Sequence, residues 1–515
     1  GLADKVQVAL AKGRGNYVSI RRAHIAIKEK QKGYTKLAEW LNNTTDGTKS
    51  SLSFNVDALT WSRARSDTDQ CLGEACDHFS DCFYQKSKKK LQEAYVIITN
   101  HSLVLLDRKM KSSGFKGVLP DYSYLILDEG HELETVARQV LTFELKQKEL
   151  PMVLYELWNG DAGEAGTGNG ILNAMYDPAK QILINDQVQA PVQDGQASAV
   201  RGAREAILDV LSKNKEFFKE VETFAGNEMV KRITEKNIFK TDIIKSIEAV
   251  NVSLKILNPH LEDKDDKAAV DFVMKRCSEI AMGIDDIMLL PNVEGRDYPN
   301  VVAWASSQLL PNKSRAYSIT SAPIFLKPEL QRILFKPLKS VVLTSATLAT
   351  GGQNPFRMIE STLGLVEPMR LRLPPVFDYA KQAFIIVVED MPEQSAINYV
   401  QELAIQVKKY AKVGSGGTFV LFTSFKVMND VFDIVKDNLE LAGLRLFCQG
   451  KELTRNQMIA EFKKTTKGVL FGVSSFWTGV DVPGKSLQKL IITKLPFPMP
   501  NDPLMQAQEE IYKKF

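Results

Sequence analysis

Two adjacent carboxylates, Asp128 and Glu129, follow an apolar run in the stretch Tyr124–His131. A short aliphatic run of this kind is typical of a buried parallel strand, and open α/β sheets bind ligands at the carboxyl ends of such strands. In nucleotide hydrolases, an acid placed like Asp128 holds Mg²⁺ on the phosphates, and one placed like Glu129 orients and deprotonates the attacking water. His131 would then report the nucleotide state to a nucleic-acid site. By itself, the stretch is equally compatible with a solvated acidic pair at the start of a loop.

Two further apolar runs, within 340–348 and 468–484, also end in small polar residues. Hydroxyl groups can exchange hydrogen-bond partners between a nucleotide site and a neighbouring domain, so they suit the coupling of that site to that domain. A hydroxyl cluster after a strand is also ordinary capping and turn chemistry, which makes each run a weak signal alone. The residues concerned are Thr344, Ser345, Ala346 and Thr347 in the first run, and Ser474, Ser475, Gly479 and Asp481 in the second.

In this order along the chain, the three runs resemble motifs II, III and V of superfamily 2 helicases. Further features make the chain similar to the DinG-like branch of iron–sulfur DNA helicases, which are relatives of the XPD helicase, and this similarity spans essentially the whole chain. Those features are the Asp-Glu-Gly-His box, Cys71-x4-Cys76-x5-Cys82, Asn100-His101, Gly13–Val18, Lys494–Pro498 and Asn501–Pro503.

The resemblance implies an α/β protein with two RecA-like parallel-sheet motor domains. The first motor domain would carry a small cysteine-bearing insertion and a helical arch insertion. The predicted boundaries are 1–14 for a remnant of motor domain 1, 15–93 for the iron–sulfur-type insertion, 94–140 for motor domain 1 with motif II, 141–300 for the arch, 301–365 for motor domain 1 with motif III, and 370–515 for motor domain 2. Apolar runs predict strands of that second domain at 384–388, 419–422, 469–471 and 490–493.

The same resemblance implies an ATP-dependent DNA helicase that uses Mg²⁺ and moves 5′ to 3′ on single-stranded or forked DNA. Asp128, Glu129 and His131 would be catalytic. Nucleotide coupling would involve Thr344, Ser345, Ala346, Thr347, Gly479 and Asp481. DNA contacts would come from Asn100, His101, Thr423, Ser424, Gln449, Ser474 and Ser475. Asn100 and His101 follow the apolar run 95–99, and we expect them at the same sheet edge where Asp128 emerges.

Cysteine usage points to a reducing compartment and to one candidate metal site. Five cysteines in 515 residues argue against a disulfide framework. Cys71, Cys76 and Cys82 lie within a dozen residues, so three soft ligands can converge, whereas a [4Fe–4S] cluster normally takes four. By resemblance the remaining ligand position is Ser19, and a serine is a poor ligand for iron. Three alternatives stay open: a cluster with one non-cysteine ligand, no stable cluster, or a zinc site completed by His78.

Two of the family's elements are absent from the sequence. It contains neither a G-x-x-x-x-G-K-[ST] phosphate loop nor a Q-x-x-G-R-x-x-R block. We therefore expect an internal fragment that does not hydrolyse ATP by itself. The alternatives are a non-catalytic nucleic-acid-binding protein, or a DinG-like nuclease whose nuclease domain lies elsewhere.

Composition sets the remaining expectations. No apolar run is long enough to span a membrane, and the net charge of +4 is too small to identify a polyanionic partner. A cytoplasmic monomer is the expected form.

Overall fold

The structure is a computed structural model of the chain. It describes residues 6–28, 34–67, 71–114, 116–155, 157–158, 170–175, 194–292, 299–310, 313–451, 453–477, 479–497 and 501–514. Two compact units are present: residues 1–372 together with 500–515, and residues 373–499. Among the described helices, none combines the length and apolar character needed to cross a lipid bilayer.

The strands within these residues are short, and most of them follow the apolar runs of the sequence. They are β1 Val8–Leu10, β2 Val96–Ile98, β3 Tyr124–Asp128, β4 Phe143–Lys146, β5 Val230–Ile233, β6 Val301–Leu309, β7 Arg315–Pro323, β8 Ser340–Thr344, β9 Thr418–Leu421, β10 Arg445–Cys448, β11 Gly468–Gly472 and β12 Lys489–Ile492.

The described helices range in length from one turn to 32 residues. They are α1 Ile20–Lys28, α2 Tyr34–Asn43, α3 Ala58–Ala64, α4 Phe83–Glu93, α5 His101–Ser112, α6 Leu133–Leu141, α7 Glu149–Leu154, α8 Ile171–Met175, α9 Asp194–Ala225, α10 Ile243–Leu257, α11 Lys264–Leu289, α12 Lys327–Leu330, α13 Arg357–Leu363, α14 Tyr379–Gln382, α15 Tyr399–Ala411, α16 Phe425–Leu441, α17 Arg455–Lys463 and α18 Pro503–Lys514.

Two parallel strand pairs, β1 with β2 and β3 with β8, lie in the first unit. The inward side of β3 is buried through Leu127, which packs against Leu105 of α5 and Leu133 of α6. The opposite side of β3 is open, with Tyr124 71% and Ile126 72% exposed. The prediction that this apolar run is buried was therefore wrong for one face, because no described element packs against it.

An antiparallel sheet in the order β4-β7-β6-β5 accompanies the long helices α9, α10 and α11. One apolar core joins these helices to the sheet. Cys277 lies in this core, and burial raises the pKa of its thiol to about 12. The range 141–300, predicted to be a helical arch, thus contains both helices and strands. Its sheet continues through β6 and β7 to Pro323 because β6 and β7 pair along their whole length.

The cysteine-bearing insertion has a small core of its own. Helices α1, α2 and α3 bury Val18, Leu37 and Trp61 together. The Trp61 indole donates a hydrogen bond to the carbonyl oxygen of Gly15 at 2.9 Å, which ties α3 to the Gly-Arg-Gly-Asn segment.

The second unit contains a four-stranded parallel sheet in the order β10-β11-β9-β12. Its central strands β9 and β11 are buried throughout, as expected for a parallel sheet covered on both faces. Val420 and Phe422 pack towards α15 and α16, whereas Phe419 and Leu421 pack towards α17. Together with the parallel pairs of the first unit, this sheet confirms the predicted α/β class.

Two segments differ from the sequence-based expectation. The run 384–388 was predicted to be a strand of the second unit, but it forms no strand, and Phe384 is 96% exposed. That prediction was wrong because no described strand pairs with the run, and hydrophobicity alone does not supply the hydrogen-bond partners of a sheet. Helix α18 lies within the range predicted for motor domain 2, yet its Ala507 and Ile511 pack against Val302 in the first unit.

Candidate functional site

Parallel pairing brings the two acids of β3 level with the hydroxyl residues of β8. The register pairs Leu127 with Leu343 and Asp128 with Thr344. Because the strands are parallel, the residues that follow each of them emerge at the same edge. The predicted catalytic and coupling residues of the first unit therefore leave the sheet side by side, and Asp128 and Thr344 are both exposed there.

A hydrogen-bond centre links the two strand ends through His131 and Ser345. His131 Nδ1 lies 2.7 Å from Ser345 Oγ and 3.4 Å from Glu129 Oε2. Ser345 Oγ is in turn 3.4 Å from Glu129 Oε2, and it accepts a hydrogen bond from the Thr347 backbone N–H at 3.2 Å. On its other side, His131 Nε2 lies 3.5 Å from Glu132 Oε1. Glu129, His131 and Ser345 thus contact one another, so a change at Glu129 can reach Ser345 directly or through the imidazole ring.

The backbone after β3 turns sharply to make this contact. Glu129 has φ 51° and ψ 46°, a left-handed conformation that is uncommon for a residue other than glycine. Gly130 is buried, and a Cβ atom added there would lie 3.1 Å from Leu343 Cβ. The close approach explains why glycine follows the acids: a side chain would push β3 and β8 apart. Strained conformations of this kind cluster at functional sites.

A second group of predicted residues gathers in the second unit, where β10, β11 and β9 end. Gln449 Nε2 donates to Ser475 Oγ at 3.0 Å, and Gln449 Oε1 accepts from the Val473 N–H at 2.8 Å. Ser474 and Ser475 are exposed in a short turn after β11. Thr423 and Ser424 follow β9, the strand next to β11 in the sheet. Gly479 and the exposed Asp481 come later in the same loop, whereas Thr478 and Pro498 lie outside the described residues.

Arg455 is a residue of this second group that sequence reasoning missed. Its Nε donates to the Ser475 carbonyl at 3.0 Å and its Nη2 to the Gly479 carbonyl at 3.2 Å, while its guanidinium lies over the Phe476 ring. It is the first residue of α17, which begins with a capping box formed by Thr454 and Gln457. The sequence signal that could have pointed to Arg455 is the capping box, because it predicts that a helix begins at the residue after Thr454.

Asn100 and His101 were expected at the sheet edge where Asp128 emerges. In the structure, β2 pairs with β1, and β3 pairs with β8 in a separate sheet. The expectation of a common edge was wrong for the described residues, since none of their strands joins the two pairs. Asn100 is the N-cap of α5, and its Oδ1 accepts from the Leu103 N–H at 2.9 Å. His101 begins the helix.

The three cysteines of the insertion line one cavity of about 30 Å³. Ser19 and Asp67 line the same cavity. We call this group the cysteine cavity: Ser19, Asp67, Cys71, Cys76 and Cys82. Within the described residues, no three His, Cys, Asp or Glu side chains lie close enough to bind one metal ion together. The thiols thus share a cavity without forming a ready single-ion site.

His78 does not line this cavity. Its ring lies 5.5 Å from the His24 ring in an edge-to-face arrangement. The proposed completion of a zinc site by His78 therefore does not match the structure, because the imidazole packs on another histidine.

Two regions of the chain match models of known protein families. Residues 54–150 match the family model DEAD_2, and residues 407–515 match a model described as a helicase C-terminal domain. These ranges contain the two groups of site residues, apart from Ser345 and its neighbours.

The similar relatives extend over almost the whole chain. The ATP-dependent DNA helicase YoaA of Escherichia coli K12 is 27% identical over 514 residues, which are 98% of this chain and 72% of the relative. A protein named 3′-5′ exonuclease DinG from Bacillus subtilis 168 is 26% identical over 99% of this chain and 56% of the relative. A solved structure described as an XPD helicase aligns with 98% of this chain and 75% of its own chain, at 12% identity and a TM-score of 0.44. By the two family models and the curated relatives, the chain is similar to ATP-dependent DNA helicases of the YoaA and DinG type.

Proposed function

We propose that the protein is an ATP-dependent DNA helicase that translocates on single-stranded DNA, and that these 515 residues are part of its motor. The observation that supports this most strongly is the His131–Ser345 contact of 2.7 Å, because it joins the acids after β3 to the hydroxyls after β8. A solvated acidic pair would not need a histidine bridge to a second strand. The relatives named as DNA helicases support DNA as the substrate.

The residues that follow β3 and β8 have distinct roles in this proposal. Asp128 would hold Mg²⁺, which neutralises charge on the ATP phosphates when bound. Glu129 would take a proton from the attacking water. Thr344 and Thr347 would surround the nucleotide, and Ser345 would carry its state onward through His131. Exposure of both acids at the strand ends is compatible with these roles.

The second group would contact DNA. Gln449, Ser474 and Ser475 form a polar surface of amide and hydroxyl groups at the end of a buried sheet, which suits contacts to phosphate and sugar. Thr423 and Ser424 would extend this surface along the sheet edge, with Asn100 and His101 as further contacts in the first unit. Gly479 and Asp481 would couple the loop after β11 to the bound nucleotide. We further propose that the enzyme acts on single-stranded or forked DNA and that it is a monomer.

The cysteine cavity would hold an iron–sulfur cluster. Three thiolates are the soft ligands that such clusters take, and the cavity brings them together with two oxygen-bearing side chains. A mononuclear zinc site is less compatible with the structure, since His78 points towards His24.

The His131–Ser345 contact predicts coupled loss of DNA unwinding. His131→Ala and Ser345→Ala in the full-length protein are each expected to lower DNA unwinding about 5- to 150-fold, the range of ordinary coupling free energies. Because both changes remove the same contact, the double variant should be no worse than the more severe single variant. Ser361→Ala is a matched control, since that hydroxyl bonds to Met358 of its own helix. Losses that add in the double variant would contradict a shared contact.

The Gln449–Ser475 contact predicts that loss of Gln449 lowers DNA affinity by the same factor at every salt concentration. Gln449→Ala is expected to weaken single-stranded DNA binding about 5- to 10-fold, the range for one lost hydrogen-bonding group. The side chain is uncharged, so the slope of affinity against salt should stay the same. Titration of labelled DNA at several salt concentrations measures both, with the exposed Gln401→Ala on α15 as control. An unchanged affinity would remove Gln449 from the DNA surface.

A nuclease is the second candidate function. One relative is named an exonuclease, and the chain spans 56% of that relative's length. An exonuclease assay on the full-length protein carrying Glu129→Gln separates the two activities, because a nuclease domain elsewhere would not need this carboxylate. If the assay detects no nuclease activity, the nuclease proposal is contradicted and only the helicase proposal remains.

A further inference from the structure

The loop after β11 carries two kinds of proposed site residue, and Arg455 contacts both parts of it. Ser475 lies in the first part and is a proposed DNA contact, whereas Gly479 and Asp481 lie in the second part and are proposed to couple to nucleotide. Arg455 Nε donates to the Ser475 carbonyl at 3.0 Å, and Arg455 Nη2 donates to the Gly479 carbonyl at 3.2 Å. One guanidinium therefore holds the DNA part and the nucleotide part of the loop at a fixed separation.

Arg455 is itself firmly placed, because it begins a helix that is anchored in an apolar core. Met458 and Phe462 of α17 are buried in that core, which also contains Phe476 of the loop. The capping box at Thr454 fixes the first turn of the helix. The guanidinium carbon of Arg455 lies 5.5 Å from the centre of the Phe476 ring, which is a cation–π distance. The arginine thus extends from a rigid base, and the loop is held against it.

The loop depends on such side-chain contacts for its shape. In its described part, regular structure is limited to one 3₁₀ turn at Ser474–Phe476, and Gly479 has φ 66°, a left-handed conformation that glycine favours. Gln449 Nε2 donates to Ser475 Oγ at 3.0 Å. Gln449 therefore fixes the hydroxyl of Ser475, whereas Arg455 fixes the Ser475 backbone relative to Gly479.

The chemistry of arginine suits this role. A guanidinium is planar and presents its N–H groups in a fixed fork, so two carbonyls bound to Nε and Nη2 cannot move independently of each other. A lysine ammonium is a compact charge on a flexible stem and does not impose such a separation. The geometry at Arg455 thus uses a property that arginine has and lysine lacks.

We propose that Arg455 is a positioning residue that couples DNA binding to nucleotide binding through the loop after β11. This inference rests on the helicase function proposed above. Because Arg455 keeps Ser475 and Gly479 at one separation, a displacement of the nucleotide part of the loop moves the DNA part with it. Without the guanidinium, each part adjusts to its own ligand, and the binding of one ligand no longer changes the affinity for the other through this loop.

The test measures this coupling in the full-length protein. The dissociation constant for single-stranded DNA is determined without nucleotide and then with a non-hydrolysable ATP analogue and Mg²⁺, and the ratio of the two constants is the coupling factor. Coupling factors of about 5 to 150 are ordinary, and Arg455→Ala is expected to bring the factor to about 1. Because an inactive fraction of protein scales both constants equally, partial misfolding cannot imitate this loss.

Two further variants serve as controls. Arg455→Lys keeps the charge but not the fork, so its coupling factor should fall between those of the parent and Arg455→Ala. Arg445→Ala is a matched loss of an arginine, since Arg445 Nη2 pairs with Glu461 Oε2 at 3.0 Å and its guanidinium lies 5.0 Å from the centre of the buried Phe447 ring. Arg445 begins β10, at the other end of the parallel sheet from the loop, so this variant should keep the parental factor.

The outcomes separate the coupling role from the proposed function. A full-length parent that binds neither ATP nor single-stranded DNA overturns the helicase function and this inference with it. A parent whose DNA affinity does not respond to nucleotide, or a parental factor in Arg455→Ala, overturns the inference alone. A parental factor in Arg455→Lys overturns the role of the fork, because charge is then sufficient.

Two other results would also overturn the coupling role. DNA binding in Arg455→Ala that is weakened equally in both nucleotide states, with a salt slope reduced by about 0.7, assigns Arg455 to a phosphate contact. A coupling factor that falls equally in Arg445→Ala assigns the effect to net charge.

Discussion

Replacing Glu129 with glutamine in the full-length protein is expected to lower ATP hydrolysis by about 10²- to 10⁴-fold, the usual contribution of a general base. The amide keeps the size of the side chain and can still accept a hydrogen bond from Ser345, whose Oγ lies 3.4 Å from Glu129 Oε2. It cannot take a proton from water. ATP binding should therefore persist while turnover is lost.

The measurement is a steady-state ATPase assay with and without single-stranded DNA, together with equilibrium nucleotide binding. Asp128→Asn is the informative comparison, because it should weaken Mg²⁺-dependent binding itself. Glu93→Gln, an exposed acid at the end of α4, controls for the loss of a charge. Near-normal turnover in Glu129→Gln would show that the acids after β3 are not the catalytic pair.

Replacing Asp107 with alanine is expected to destabilise the first unit by about 3–5 kcal/mol, the cost of removing one partner from a buried ion pair. Asp107 is fully buried on α5. Its Oδ1 accepts from the Leu119 N–H at 2.8 Å, and Oδ2 lies 3.2 Å from Lys111 Nζ. Oδ2 has no partner with hydrogen-bond geometry, so the ion pair is its main compensation for burial.

This arrangement positions β3. Lys111 Nζ also donates to the carbonyls of Leu119 and Pro120, so the ion pair holds the chain just before the strand that ends in the proposed catalytic acids. Burial, reinforced by the charge of Asp107, raises the pKa of the nearby Tyr122 hydroxyl well above its usual range. Loss of Asp107 should therefore loosen the start of β3 as well as lower stability.

Hydrogen exchange of the β3 amides and urea unfolding measure these effects. Asp121→Ala is a close control, because Asp121 pairs with the same Lys111 Nζ at 3.2 Å but its side chain is fully exposed. It should change little. Gly117→Ala should reproduce the defect independently, since its added Cβ would lie 2.1 Å from Asp107 Oδ1. Equal stability of the Asp107 and Asp121 variants would mean that the buried pair is not structurally important.

Local patterns predicted much of this protein. The apolar runs before Asp128 and Thr344 are strands, and the runs at 419–422, 469–471 and 490–493 coincide with β9, β11 and β12. Short-range hydrophobic pattern is enough for such elements because each run is long enough to fill one strand. The family resemblance followed from the order of these runs, and the family models agree with it.

Tertiary structure decided the rest, for identifiable reasons. The run 384–388 has the same apolar character as the true strands but lacks a pairing partner, which no local pattern reveals. Arg455 belongs to no motif, and it enters the site only because folding brings it to the Ser475 loop. The pattern of residues along the chain thus indicated most of the strands at the proposed site and the chemistry that their ends carry. Strand pairing and long-range contacts determined which side chains meet, since a sequence motif records spacing along the chain and a site depends on distance in space.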